Sequence, residues 1–210
     1  TREDANAFYA KHYVPANMTI AMVGDVKADE VLPIVRKYFD RLPAGTPPAP
    51  LRTVEPPQQA ERRVALIDEA QPFYAEGYHV PSATHEDAIV LDALAEILGR
   101  GRTSRLYRDL VRDQKIAAAS QAFNGFPGSK YPTMLVVFAV PTQGKDAMAV
   151  GPEVRKHVER LKEELVSEQE LAQVKSRAKA DLVRRLASAQ GLTFSLGFSQ
   201  SLTGDWRDIF

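Results

Sequence analysis

The chain has 210 residues, 44% of them apolar and 26% charged, the proportions of an ordinary folded protein rather than a disordered one. Its 27 basic and 27 acidic residues cancel, which argues against a surface built to wrap nucleic acid. There is no cysteine, so disulfides, thiol catalysis and thiolate metal sites are excluded, and no apolar run reaches the length that membrane insertion needs.

Thr1 and Asp4 stand in capping-box positions, so the first residues already predict a helix over 2–13. A chain that begins in this way reads as a piece excised from a longer one. Met18 to Val23 (MTIAMV) is a short apolar run between Pro15-Ala16-Asn17 and Gly24, and predicts a buried strand. A second helix is expected over 28–41, with Val31, Ile34, Val35, Tyr38 and Phe39 on one side. Residues 43–57 hold six of the fourteen prolines, which forbids helix or central strand and predicts an extended connector. Val64 to Ile67 and Phe73 to Val80 follow as two strand candidates.

Next comes a helix over about 85–98, with Thr84 as its N-cap and Ile89, Ala93, Leu94 and Ile97 facing inward. Another is expected over about 103–114. Ala117 to Phe123 and Met134 to Val140 read as strands joined by the turn-rich Asn124-Gly125-Phe126-Pro127-Gly128 loop. Val154, Val158, Leu161 and Leu165 then recur at helical steps. Ser167 and Glu170 form a capping box for a last helix that turns Leu171, Val174, Ala178, Leu182 and Leu186 inward. Short links between adjacent strands favour antiparallel pairing. The expected fold is therefore α+β, a single domain over 1–210 with a largely antiparallel sheet and helices packed on one face.

Chemical motifs are sparse. Gly24-Asp25 after a strand, and Gly99-Arg100-Gly101, both fall short of a phosphate-binding fingerprint. Gly99 is better read as the C′ residue of one helix, and Thr103 or Ser104 as the cap of the next. Ser104 and Ser120 are accordingly cap and strand residues, not nucleophiles, and no G-x-S-x-G occurs. None of the four histidines has a partner three or four residues away, so no metal site is expected within this chain. His12 and His79 sit beside aromatics and suit packing or hydrogen bonding; His85 and His157 are expected to be exposed. At 100° per residue, Arg105, Arg108 and Arg112 share one helix face opposite Leu106, Tyr107, Leu110 and Val111. That stripe reads either as a solvated face or as a contact for a carboxylate or peptide.

Four stretches together carry a resemblance: AFYAKHYVPANMTIAMVGDV (7–26), VLPIVRKYFDRLP (31–43), LDALAEILGRGRTSRLYRDLVRDQKIAAAS (91–120) and EQELAQVKSRAKADLVRRLAS (168–188). In this order and spacing the chain resembles the second, non-zinc-binding domain of the pitrilysin/insulinase family of zinc metallopeptidases, in its mitochondrial-processing-peptidase-like bacterial branch. The resemblance implies a half-lobe of an endopeptidase whose zinc sits on His-x-x-Glu-His in the preceding domain. It also implies a peptide or unfolded-protein substrate, a second family subunit completing a heterodimeric chamber, and a bacterial periplasmic location. The family's Arg/Tyr substrate pair falls on Arg112 and Ala118 here, so Arg112 is the one candidate substrate-binding residue and the tyrosine is missing. That departure fits the zinc-bearing subunit of a two-chain peptidase. It equally fits a non-catalytic peptide-binding or assembly subunit.

Overall fold

The computed structural model describes residues 1–209. Residues 68–183 form one compact unit, and residues 1–67 with those from 184 onward group into another.

The first unit is built on three strands, β1 (Tyr74–Val80), β2 (Ala117–Phe126) and β3 (Thr133–Pro141). Their order is β1-β3-β2 and both pairings are antiparallel, with Tyr74 opposite Ala139 and Ala122 opposite Val137. Along β3 the residues alternate between buried and half-buried, because only one face of the sheet is covered. Helices α3 (Ala88–Gly99) and α4 (Ala147–Glu163) supply the cover. Ala95 and Leu98 of α3, Val150 and Val154 of α4, and Leu106 and Leu110 meet Leu135, Val137 and Ala139 in the core. The α+β architecture with helices on one face of an antiparallel sheet is as the sequence predicts.

Two glycines let backbone and ring come close to that sheet. A Cβ on Gly99 would lie 1.9 Å from the main-chain nitrogen of Ala122, so α3 rests directly on the backbone of β2. A Cβ on Gly151 would lie 2.6 Å from the ring of Tyr74, which α4 admits only because the side chain is absent. Beneath that ring the buried Glu76 carboxylate accepts hydrogen bonds from the Tyr74 hydroxyl, from Tyr78 Oη (2.6 Å) and from Arg155 Nε and Nη2 (3.2 and 3.1 Å). The charge is thus fully partnered where it would otherwise be costly. Burial, and then the Glu76 carboxylate, push the Tyr74 hydroxyl up to about 12, and Tyr78 moves in the same direction for the same reasons.

The second unit contains α1 (Arg2–His12), α2 (Ala28–Phe39) and α6 (Ala189–Thr203). Helix α5 (Glu168–Leu186) precedes α6 in the chain. Both capping boxes form: Asp4 N donates to Thr1 Oγ1 at 3.2 Å, and Glu170 N donates to Ser167 Oγ at 3.2 Å.

Several expectations are corrected. Met18 to Val23 and Val64 to Ile67 are not strands; no other segment among the described residues pairs with them, and an unpaired extended chain forms no ladder. Helix α3 begins at Ala88, and Thr84 does not cap it but faces Ser82, with the two hydroxyl oxygens 3.0 Å apart. Ile89 is exposed, but Ile97 is buried as expected and Ala93 and Leu94 are half-buried; Ala95 and Leu98 are buried beside them. Leu165 lies past the end of α4 and is exposed. Gly99 is not a C′ residue but the last residue of α3; the left-handed conformation belongs to Gly101, at φ 78°. Ser104 uses its hydroxyl to donate to the Gly101 carbonyl (2.8 Å) and does not cap the following helix. Helix α6 was not anticipated, since Gly191, Gly197 and its serines depress helical propensity.

The two glycines of the Gly99-Arg100-Gly101 turn should respond differently to alanine. Gly99→Ala forces α3 off β2 and is expected to cost about 1–3 kcal/mol or more. Gly101→Ala meets open space and costs only the left-handed backbone penalty, about 1–2 kcal/mol. Denaturant midpoints of the two variants check this: the G99A core should also lose amide protection at Ala122, and the G101A core should not.

Candidate substrate-contact element

The segment carrying Arg112 is not an ordinary helix. After one α-type bond from Arg108 N to the Ser104 carbonyl (3.0 Å), Tyr107–Asp113 widens into a π-helix closed by Gln114 N donating to the Asp109 carbonyl at 2.8 Å. Such turns are rare in proteins and need external support. Here Leu106 and Leu110 are fully buried, and Asp109 is held from α4. Asp109 Oδ2 lies 2.6 Å from His157 Nε2, and Oδ1 accepts from Gln114 Nε2 at 3.0 Å. Burial alone would raise the Asp109 carboxyl, yet the hydrogen bonds from Gln114 and His157 and the charge of Lys156 bring it below its ordinary value. His157 is buried, contrary to the expectation of exposure, because it falls on the α4 face that meets the π-helix. His85 is exposed as expected, accepting at Nδ1 from Asp87 N (3.2 Å). His12 packs beside Phe8.

The arginines separate. The wider turn breaks the even spacing that a 100° step assumes, and the three do not share one solvated face. Arg105 is largely buried and grips Glu170 through Nε (2.7 Å) and Nη2 (2.9 Å). Arg108 is exposed. Arg112 is exposed and forms a two-point contact with its neighbour Asp113, Nε to Oδ1 at 2.7 Å and Nη2 to Oδ2 at 2.9 Å. Ala118 is exposed at an irregularity in the β2 register between Ala117 and Ala119. Between them Lys115 takes a left-handed φ of 56°, and its carbonyl accepts from Thr142 Oγ1 at 2.8 Å.

Glu170 links this element to α5. It accepts from Ser167 N (2.9 Å) as well as from Arg105, and these bonds hold its carboxyl down at about 2. Farther along α5, Arg177 Nη1 reaches Glu96 Oε2 (3.1 Å) and the Arg100 carbonyl (3.0 Å), while Asp181 accepts from Arg100 Nη2 (2.8 Å). The half-buried residues of α5 are Glu170, Val174, Arg177, Asp181 and Leu186. Of the expected apolar stripe Val174 and Leu186 do turn inward, whereas Leu171, Ala178 and Leu182 are exposed and charged residues take the places between.

The sheet face without helices is apolar. Its positions include Met134, Val136 and Phe138 of β3 and Phe123 and Phe126 of β2, with Phe73 packed against Phe138 at 5.4 Å between ring centroids. Gln121 and His79 are its polar members. Among the described residues no group of three or more His, Asp or Glu side chains is placed so as to hold a metal ion.

Residues 1–178 match the family model described as the peptidase M16 inactive domain. The chain therefore belongs to the M16 family, the pitrilysin/insulinase peptidases, and corresponds to its inactive domain. It is 30% identical over 193 residues to the zinc protease PqqE of Helicobacter pylori, covering 90% of this chain and 43% of that protein. An Arabidopsis thaliana protein described as "Probable mitochondrial-processing peptidase subunit beta" is 31% identical over 135 residues, 59% of this chain and 25% of its own length. In three dimensions the chain superposes on the crystal structure of a protease from Helicobacter pylori with a TM-score of 0.78 and 27% identity, over 89% of this chain and 45% of that one. The chain thus spans less than half the length of these relatives.

The Arg105–Glu170 clamp sets a pH dependence. The folded carboxyl lies below its ordinary value of 4.5, so its stabilisation is fully present above that pH and is lost as pH falls toward about 2. Glu170→Gln retains the capping box, which accepts either residue, and should cost about 1.5–3 kcal/mol at neutral pH. The difference between wild type and E170Q, measured by denaturant unfolding, should shrink steadily from pH 5 downward.

Proposed function

We propose that this chain is the non-zinc-binding domain of a zinc-dependent endopeptidase, helping to form the chamber that encloses a peptide or unfolded-protein substrate. The observation that carries this reading is the two-sided character of its sheet: one face is sealed by α3 and α4, and the other is left apolar and rich in phenylalanine. A face of that kind, bounded by the edge strands β1 and β2, suits contact with extended peptide. The zinc belongs to the preceding domain of the parent chain, where it would polarise the scissile carbonyl. In this reading the parent is the zinc-bearing subunit of a two-chain enzyme working in the bacterial periplasm, since Ala118 stands where the Arg/Tyr pair would need its tyrosine. Arg112, already paired with Asp113, makes at most a secondary substrate contact.

The same Arg112–Asp113 pairing favours a second reading, a non-catalytic peptide-binding or assembly subunit of the family. Two measurements separate them. The full parent chain with its partner subunit should cleave an unstructured peptide and lose that activity to a chelator, while the 210-residue chain alone should not cleave. Chelator-sensitive cleavage by the chain alone, or a parent lacking His-x-x-Glu-His, would overturn the first reading. Within the active enzyme, Arg112→Ala should lower kcat/KM by less than about tenfold, under 1.4 kcal/mol of transition-state binding. A larger loss would assign Arg112 a direct role.

A further inference from the structure

Helix α4 holds both ends of the turn that makes residues 107–113 a π-helix. Glu153 and His157 are four residues apart, so they stand on one side of α4, about 6 Å apart along its axis. His157 Nε2 meets Asp109 Oδ2 at 2.6 Å, and Glu153 Oε2 accepts from Gln114 Nε2 at 3.2 Å. Asp109 and Gln114 are also the two residues whose main chains close the wide turn, Gln114 N donating to the Asp109 carbonyl at 2.8 Å. The His157 ring is buried and its Nδ1 has no hydrogen-bond partner. A phenyl ring would fill the same place without leaving a buried polar atom unsatisfied, so packing alone does not account for a histidine there.

An ordinary α-turn would close the Asp109 carbonyl with Asp113 N, one residue earlier than the observed bond. The Asp113 carboxylate would then come toward the space between Asp109 and Glu153, where like charges repel. Lys156 Nζ, 3.6 Å from Glu153 Oε2, already serves that carboxylate. Gln114 is neutral and carries two amide hydrogens, which it gives to Asp109 Oδ1 (3.0 Å) and to Glu153. In the π register Asp113 stays outside, paired with Arg112. We infer that Glu153 and His157 are positioning residues that select the π register of residues 107–113 and through it fix the place of Arg112. Without their grip the segment tightens to an α-helix and the surplus residue passes into the turn at Lys115, which moves Arg112 around the axis by about 100°. The consequence for substrate rests on the proposed function; the choice of register does not.

Crystal structures of variants of the full parent chain read the register directly. His157→Phe, and separately Gln114→Ala on the surface, should each close the Asp109 carbonyl with Asp113 N. His157→Gln, whose amide can bring a donor to the place of Nε2, should keep Gln114 N there. An unchanged π-helix in either of the first two variants, or a segment that loses its helix altogether, would overturn the inference. Kinetics of the parent with its partner subunit separate positioning from a general loss of stability. H157F should lower kcat/KM by no more than about tenfold, through KM, and should have no further effect once Arg112→Ala is present. A loss that adds to that of R112A would reduce His157 to a structural role and overturn the positioning of Arg112. A register that shifts as expected in a parent that cleaves nothing refutes the functional proposal alone. A parent that cleaves while every variant keeps the π register refutes this inference alone.

Discussion

The contact on which residues 68–183 depend is the seating of α3 directly on the main chain of Ala122, through Gly99. Side-chain packing normally holds a helix about 10 Å from a sheet, and removing one side chain at the crossing lets the two backbones touch. Once α3 ends against β2, the chain must turn at once, and Gly101 supplies the left-handed residue that does so. The following segment is then delivered over the same sheet face, where Leu106 and Leu110 complete the core. Arg105, next to Leu106, is carried inward with it and meets Glu170. A single missing methyl group thus sets the course of the segment that bears Arg112.

The two faces of the sheet are stabilised by different physics. Under α3 and α4 the core is ordinary aliphatic packing, interrupted by one buried carboxylate that four hydrogen bonds from Tyr74, Tyr78 and Arg155 satisfy. Helix α5 is attached by charge instead, through Arg105, Arg177 and Arg100. Paired guanidinium groups can fix a helix in register with little apolar burial, which leaves Leu171 and Leu182 on the surface. The opposite sheet face carries apolar side chains and, among the described residues, no helix of the core, and the proposed contact with substrate rests on this asymmetry.

Much of this was legible in the residues. The helix over residues 28–39, both capping boxes, the β2–β3 hairpin and the inward Leu106 and Leu110 all follow from local periodicity and turn chemistry, because each depends on neighbours within a few positions. The candidate site was half legible. Arg112 and Ala118 were placed by resemblance, but the partner that occupies Arg112 is Asp113, adjacent in sequence and visible only as geometry. His157 gave no signal at all, having no other histidine or cysteine at ligand spacing; its importance comes from Asp109, 48 residues away.

The sequence by itself determined the α+β class, the family and the order of most elements, since hydrophobic period and capping are local properties of the chain. Only the tertiary structure decided which arginine is buried, which glycine is a turn and which is a contact, and that residues 107–113 form a π-helix. Those outcomes depend on what lies across the fold from each residue. The same reason explains Met18–Val23: its apolar pattern specifies a strand, but a strand exists only when another backbone is present to pair with it.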